Sequence, residues 1–512
     1  MRIFGIMILL LLCYSCYEDK GNYEYKELNT IEIEKINLNK LYFVQGDTLL
    51  ATPKLEFKLD STDTSFEYEW QISGGRIVGR ERDLEYVTDT SSASVITLSL
   101  KITDKFGVSY SHRQGVLIRP GYGAGWVILG EKEGTSRLSF LQEEEREENG
   151  EKIKYFKEFP DIFFEKNKIE LGGQPLNIHE FFAGRSDASH LVVFQEGGLG
   201  AICMEGGTFK KTITVEEEFM TGKYPQGFFP SNGIFGNNID MLVNDDGDLY
   251  IKKNENKDAY YTGRFLDYPV YFEKGLEVTH LIRMKFYDGG IHMIYDNKNK
   301  RFLVIEDEPY GTSGGRIIVP WHNKVEGFDY SVYAMGEGTE YVFCDCMTVG
   351  YDSYFFNLFK DNEKNKYYMQ KFKLMYNWST LGVDVTPLWQ AEFPRPDLLN
   401  GENVFALARD SREYLFFSGG SNQECLYGYI FTGGKGAAVP LYDFEGERIT
   451  ALYVTDTGAQ TIGVGLANGK FYLLDISVDS FKNGSKVILE SKVDLGKIKA
   501  IHYKVNSRSS IY

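Results

Sequence analysis

Gly247-Asp248-Leu249-Tyr250-Ile251, Lys300-Arg301-Phe302-Leu303-Val304 and Gly469-Lys470-Phe471-Tyr472-Leu473 share one shape: a small or polar pair leaving a turn, then an apolar and aromatic strand. Each ends a hairpin whose first strand is equally apolar. The hairpins cover residues 239–251, turning at Asp245-Asp246-Gly247, residues 291–305, turning at Asn297-Lys298-Asn299, and residues 460–476. Leu249 and Phe302 are 53 positions apart, and Phe302 and Phe471 are 169 apart, close to three more such steps. The same unit recurs at 126–141, 191–204, 341–359 and 413–431. A period of about 50 residues built from strands is the mark of a β-propeller rather than a helical solenoid. Seven copies fit the 393 residues from Pro120 on, at about 56 residues each, which suits four-stranded blades, with six or eight as the alternative counts because the 341–359 unit is stretched. Residues 498–505 supply a last strand that closes the ring against the first blade. Helical signals are few and short, as in Val215-Glu216-Glu217-Glu218-Phe219.

Upstream, between residues 30 and 119, short alternating runs are separated by turns. Phe66-Glu67-Tyr68-Glu69-Trp70-Gln71-Ile72 ends at Ser73-Gly74-Gly75, and Val95-Ile96-Thr97-Leu98-Ser99-Leu100-Lys101-Ile102 stops at the turn around Lys105-Phe106-Gly107. About ninety residues of such strands indicate an antiparallel sandwich. Trp70 in mid-strand and the 104–107 turn resemble a polycystic-kidney-disease (PKD) or immunoglobulin-like domain, with Trp70 as the anchor between the sheets. Gly121-Tyr122-Gly123-Ala124-Gly125 is the joint that follows.

The N-terminus has a positive start at Arg2, ten largely apolar residues from Ile3 to Leu12, and Ser15 just before Cys16. That run is too short to span a bilayer, which needs about 20 apolar residues, but has the order of a secretory signal. It resembles a bacterial lipoprotein signal, which implies acylation of the Cys16 thiol. Glu18 and Asp19 resemble the surface-export signal of lipoproteins in the Bacteroidota. The expected organisation is a signal peptide at 1–15, a tether at 16–29, a PKD-like β-sandwich at 30–119 and a seven-bladed β-propeller at 120–512, an all-β chain throughout.

Acidic residues number 73 against 56 basic ones, for a formal net charge of -17. This excludes nucleic acid and electrostatic docking on anionic lipid, and leaves membrane attachment to the lipid anchor alone. The 35 Tyr and 36 Phe favour β structure before any ligand. Cys344 and Cys346 stand two apart in a strand, so their thiols share a face and do not bond each other. Buried free thiols are expected for both, and the fold does not depend on disulfides.

No catalytic residue, no metal and no cofactor is expected from the motifs. Gly311-Thr312-Ser313-Gly314-Gly315 matches a nucleophile pattern, but Arg316-Ile317-Ile318-Val319-Pro320 continues it as a strand where that motif requires a helix. Asp245-Asp246-Gly247-Asp248 is a tight hairpin turn rather than a calcium loop. The seven histidines are scattered; His292 lies in an apolar strand and is expected to pack there. Trp321, His322, Tyr376 and Trp378 are the ligand or partner candidates. Tryptophan and tyrosine serve either stacking on sugar or peptide or packing between blades.

Together, Cys16-Tyr17-Glu18-Asp19-Lys20-Gly21-Asn22-Tyr23, the sandwich, and Gly125-Trp126-Val127-Ile128-Leu129 with Leu138-Ser139-Phe140 resemble the PKD-like surface lipoproteins of the Bacteroidota. The resemblance implies a cell-surface protein of the outer membrane, an accessory to a SusC/SusD-type uptake system. Its partners would be the TonB-dependent transporter and its SusD-like lipoprotein, its cargo a peptide or a glycan, and its action non-enzymatic. A propeller hydrolase or lyase acting on extracellular glycan or peptide is the alternative, because paired acids from different blades are distant in sequence.

Overall fold

The structure is a computed structural model that describes residues 29–60, 65–88, 94–119, 121–148, 150–182, 189–256, 259–284, 290–307, 314–320, 328–349, 352–377, 379–408, 412–455 and 460–505. Two compact units are present, one within residues 29–117 and the other formed mainly by residues 118–505.

The first unit holds β1 (Ile31–Leu38), β2 (Phe43–Val44), β3 (Thr48–Phe57), β4 (Glu67–Ile72), β5 (Arg76–Gly79), β6 (Leu84–Val87), β7 (Ser94–Thr103) and β8 (Ser109–Arg119). They form two sheets, ordered β1-β3-β6 and β2-β8-β7-β4-β5. Trp70, Leu98, Leu100 and Ile102 are fully buried, from alternating positions on β4 and β7. Trp70 Nε1 donates to the Glu81 carbonyl at 2.9 Å, which satisfies the indole where it is buried. The turn between β7 and β8 is built by Asp104, whose Oδ1 accepts the amides of Phe106 and Val108 at 2.9 and 2.8 Å. Gly107 takes the positive φ of 83° that the turn requires.

Among its described residues the second unit forms seven antiparallel sheets in chain order. The first holds β9 (Gly125–Lys132), β10 (Thr135–Glu148) and β11 (Glu151–Phe159). Helix α1 (Ile162–Asn167) leads to the second, with β12 (Gln174–Phe181), β13 (His190–Glu196), β14 (Ile202–Glu205) and β15 (Lys211–Thr214). The third holds β16 (Asn232–Phe235), β17 (Ile239–Val243) and β18 (Leu249–Lys253). The fourth holds β19 (Val278–Ile282), β20 (Ile291–Asp296), β21 (Arg301–Glu306) and β22 (Ile317–Ile318). The fifth holds β23 (Thr339–Val349), β24 (Asp352–Asp361), β25 (Lys366–Asn377) and β26 (Gly382–Glu392). The sixth holds β27 (Phe405–Leu407), β28 (Tyr414–Gly419), β29 (Cys425–Ile430) and β30 (Ala438–Asp443). The seventh holds β31 (Ile449–Val454), β32 (Thr461–Leu466), β33 (Phe471–Asp475) and β34 (Val487–Glu490), with the short α2 (Ser480–Asn483) between the last two. The final strand, β35 (Lys497–Lys504), pairs with β9, so the end of the chain completes the first sheet.

Alternation along each strand explains how the sheets stack. On β9, Trp126 and Ile128 enter a core shared with Phe471 and Leu473 of the seventh sheet. Val127 and Leu129, on the other face, enter a core shared with Leu191 and Val193 of the second. Val192 and Phe194 then meet Leu242 and Tyr250 of the third sheet, while Met241 and Val243 meet Ile294 and Leu303 of the fourth. Sheets four and five, five and six, and six and seven share three further cores. Seven cores thus lie between neighbouring sheets in cyclic order. The first strands follow the same cycle: β35 touches β12 and β31, and the contacts run on from β12 through β16, β19, β23 and β27 to β31.

The repeat legible in the sequence corresponds, in five of the seven sheets, to the two middle strands, and in the third sheet to β17 and β18 of its three described strands. Those strands are covered on both faces and so are apolar at nearly every position. In the fifth sheet the repeat falls on the first two strands, β23 and β24, instead. The acidic run 143–148 belongs to the far part of β10, a strand extension beyond the end of β9. The Val215–Glu218 segment is one 3-10 turn. Cys203, Cys344, Cys346 and Cys425 are buried free thiols, and Cys344 and Cys346 point into the same core between the fourth and fifth sheets.

Candidate functional site

Polar groups collect where the first strands of the sheets end. Glu180, near the end of β12, is 5% exposed. Its Oε1 accepts the Ser189 hydroxyl, its Oε2 accepts the Val505 amide at 2.8 Å, and His502 Nε2 lies 3.8 Å from Oε2. Arg283, just past β19, donates to the Glu180 carbonyl at 3.0 Å. The carboxylate therefore ties the start of the second sheet to the last residues of β35. A nucleophilic serine hands its proton to an imidazole; Ser189 gives its hydrogen to a carboxylate that two other groups also hold, so the arrangement orders the rim. Beside it Lys504 is fully buried and donates to the Tyr122 carbonyl at 2.8 Å. Burial pulls its ammonium down to about 8, against the opposing pull of Glu180.

Two more carboxylates are spent in the same way. Asp307 accepts the amides of Asn237, Asn238 and Ile239 at 2.8, 2.6 and 3.2 Å, and His292 Nε2 at 3.1 Å. Glu306 pairs with Arg316 Nε at 3.0 Å and accepts the Tyr376 hydroxyl at 2.6 Å. Tyr376, on β25, is thus a half-buried clasp between the fourth and fifth sheets. Trp321, His322 and Trp378, with Cys16, lie outside the described residues. Of the 311–315 stretch, Gly314 and Gly315 are described, and they run into the strand β22.

The strongest electrostatic feature was missed by sequence reasoning. Asp240 and Lys252 are cross-strand partners on β17 and β18, on the face turned to the second sheet. Lys252 Nζ lies 2.9 Å from Asp240 and bonds Glu218 of the 3-10 turn, with both the Lys252 and the Glu218 side chains fully buried. Burial lowers the Lys252 ammonium, yet the two carboxylates overcome it and the net shift is upward. Burial raises the Glu218 carboxyl despite Lys252. The available signal was a charge inside each of two largely apolar strands, Asp240 in Ile239–Val243 and Lys252 in Leu249–Lys253. Glu218, one of many carboxylates outside that hairpin in an acidic chain, carried no local sign that it joins them.

This triad fixes two long connections. Residues 215–231 lead into β16, and residues 254–277 leave β18. They meet where Phe219 bridges Phe265, with Phe265 donating its amide to Glu218 and Met220 donating its amide to Phe265, both at 2.9 Å. The Thr221 hydroxyl bonds Asp267 at 3.1 Å, and the Lys252 ammonium stands 5.3 Å over the Phe265 ring. Cys203, His190 and Tyr261 complete the buried surroundings. His190 stacks on Tyr260 with centroids 3.7 Å apart, and its Nδ1 meets the Tyr261 hydroxyl at 2.5 Å. Burial lowers the His190 pKa to about 3 and raises the Tyr261 and Cys203 groups.

The depressed His190 has a pH consequence. Its folded value lies below the unfolded one of about 6.5, so its stabilising contribution is complete above that pH. It drains as pH falls towards about 3, by up to about 1.4 kcal/mol per pH unit. Urea midpoints measured from pH 7 to pH 4 should fall less steeply for His190→Gln than for the wild type; equal slopes would remove His190 from the account.

A PKD-like family model matches residues 16–175. The match runs through the first unit and strands β9 to β11 of the second, ending at Pro175 in β12. No curated protein matches the chain. Similar solved structures include a quinonprotein alcohol dehydrogenase-like protein from Bacteroides thetaiotaomicron, at 11% identity and TM-score 0.39, covering 91% of this chain and 99% of that one. AztD from Citrobacter koseri matches at 12% identity and TM-score 0.37, covering 86% of this chain and 100% of its own. The WD40 domain of Toxoplasma gondii coronin matches at 11% identity and TM-score 0.36, covering 71% and 79%. These likenesses are too distant to bear on activity.

Proposed function

We propose that the chain is a lipid-anchored surface protein of the outer membrane, a PKD-like domain bearing a seven-bladed β-propeller that binds nutrient beside a TonB-dependent transporter and its SusD-like lipoprotein. The observation that carries it is the coincidence of Cys16, the residue expected to take the lipid, with the first residue of the PKD-like match. Seven sheets with cores in cyclic order support seven blades closed by β35. The rim carboxylates Glu180, Glu306 and Asp307, each already held by several donors, support binding over acid–base chemistry at that end.

Two measurements test this. The wild-type chain should sediment with outer membranes and the Cys16→Ser variant should not. Affinity purification from detergent-solubilised membranes should bring down a TonB-dependent transporter. Recovery of the chain alone, with neither transporter nor nutrient, would overturn the reading.

A further inference from the structure

We infer that the end of the first unit where the chain enters is a lipid-facing tip, which rests on zwitterionic phospholipid through Leu59 and Phe106. This rests on the lipid anchor proposed above for its place in the cell, while the tip itself follows from the first unit alone. Strand pairing collects the pieces. Ile31 of β1 pairs with Phe57 of β3, and the Asn29 side chain accepts the amides of Leu59 and Asp60 at 3.0 and 3.2 Å. Phe57 meets Phe66 with ring centroids 5.7 Å apart, which joins this end of one sheet to the start of β4 in the other. Glu67 of β4 pairs with Thr103 of β7, and the Thr103 and Ser109 hydroxyls meet at 3.1 Å across the turn that holds Phe106. The entry point, Leu59 and Phe106 thus share one end of the sandwich, and β8 leaves that end at Ser109 and runs on to Arg119.

The two turns at this end have the same chemistry. Each places a lysine directly before an exposed apolar side chain, Lys58 before Leu59 and Lys105 before Phe106, with Leu59 53% and Phe106 67% exposed. Lys105 Nζ stands 5.5 Å over the Phe106 ring, and among the described residues neither lysine forms an ion pair. The counterpart at the other end, where β1 stops and β3 starts, is Lys40 before the fully exposed Leu41, but Asp47 holds that ammonium at 2.8 Å. A free lysine beside an apolar side chain suits the edge of a bilayer, since the ammonium stays with the headgroup phosphates while the apolar group enters below them. Phe106 is presented by the turn that Asp104 fixes, so little further order is lost when it is buried.

Reach and size select the bilayer as the occupant. From Cys16, the residue expected to take the lipid, to Asn29 is 13 positions, a span of at most about 45 Å of chain. An anchored chain therefore enters the first unit at this end, and tethering makes the contact intramolecular, so a weak one is enough. Two apolar side chains fall far short of the roughly 20–30 residues that a stable protein interface takes from each side. The net charge of -17 leaves such a contact open, because it is made with zwitterionic headgroups and acyl chains rather than with anionic lipid. Seated in this way, β8 carries the chain up to about 33 Å away from the bilayer by Arg119.

The test couples the mature chain through the Cys16 thiol to a maleimide-headgroup lipid in phosphatidylcholine vesicles, the cysteines among the described residues being buried. Tryptophan is introduced singly in Phe106→Trp, Leu59→Trp and Leu41→Trp, and is quenched by phosphatidylcholine brominated near the top of its acyl chains. All three sites are exposed, so the variants should melt with the wild type. The emission added at 106 and at 59, over that of the coupled wild type, is expected to fall by about half or more, while the emission added at 41 stays. Equal quenching at the three sites, or none at 106 and 59, would overturn the inference. Coupling at the thiol does not depend on lipidation in the cell. Equal sedimentation of the wild type and Cys16→Ser would therefore remove the anchor without deciding the tip, and the quenching decides the tip by itself.

Discussion

Lys252→Met is expected to lower the unfolding free energy of the second unit by about 3–5 kcal/mol, because it leaves two buried carboxylates without their cation. Glu218 and Asp240 flank that ammonium, and the Lys252 and Glu218 side chains are wholly removed from water. Glu218→Gln should cost much less. Burial already raises the Glu218 carboxyl, and Lys252 keeps Asp240 at 2.9 Å. Replacing all three by apolar residues of similar volume should restore most of the loss, since burying ions is itself costly. Urea denaturation of the three variants checks the ordering. A Lys252→Met chain as stable as the wild type would show that the triad is not a closed electrostatic unit.

Removal of β35, by ending the chain before Lys497, is expected to abolish cooperative folding of the second unit. The strand buries Ile498, Ile501 and Lys504, and covers the edge of β9 where Trp126 and Ile128 sit in the core with the seventh sheet. Each buried isoleucine contributes about 1.5–3 kcal/mol, the exposed β9 edge loses its hydrogen bonds, and a domain has only about 5–15 kcal/mol in total. Near-UV circular dichroism and a thermal melt measure the result. A truncated chain melting within a few degrees of the wild type would mean that the first and seventh sheets hold together without the closing strand. Glu180→Ala is the milder form: it removes the acceptor of the Val505 amide, and should cost about 1.5–3 kcal/mol, the range for a hydrogen bond to a charged group.

How far the sequence reaches is visible in particular residues. The hairpins 239–251, 291–305 and 460–476 were legible because both faces of those strands are buried, so each reads as an apolar run closed by turn residues. Trp70 and the Asp104 turn were legible because local spacing alone fixes them. Tyr376 was picked out as an aromatic ligand candidate, yet its hydroxyl is engaged by Glu306, 70 positions away. No local rule connects those two, since their meeting depends on how the fourth and fifth sheets face each other. Phe106 was legible as part of a turn, but no local rule shows that it shares an end of the sandwich with Leu59.

By itself the sequence determined the class of the chain, the order of its strands and the sandwich ahead of the repeats. Those properties follow from short-range periodicity and from residue types that act within a few positions of themselves. Only the tertiary structure decided which partners the buried carboxylates meet. Glu218 with Lys252, Glu180 with Val505 and Glu306 with Tyr376 are brought together across 34, 325 and 70 positions by the way the sheets and their connections pack. Desolvation between stacked sheets gives such pairs their weight, and burial of that kind is a property of the assembled core rather than of any segment within it.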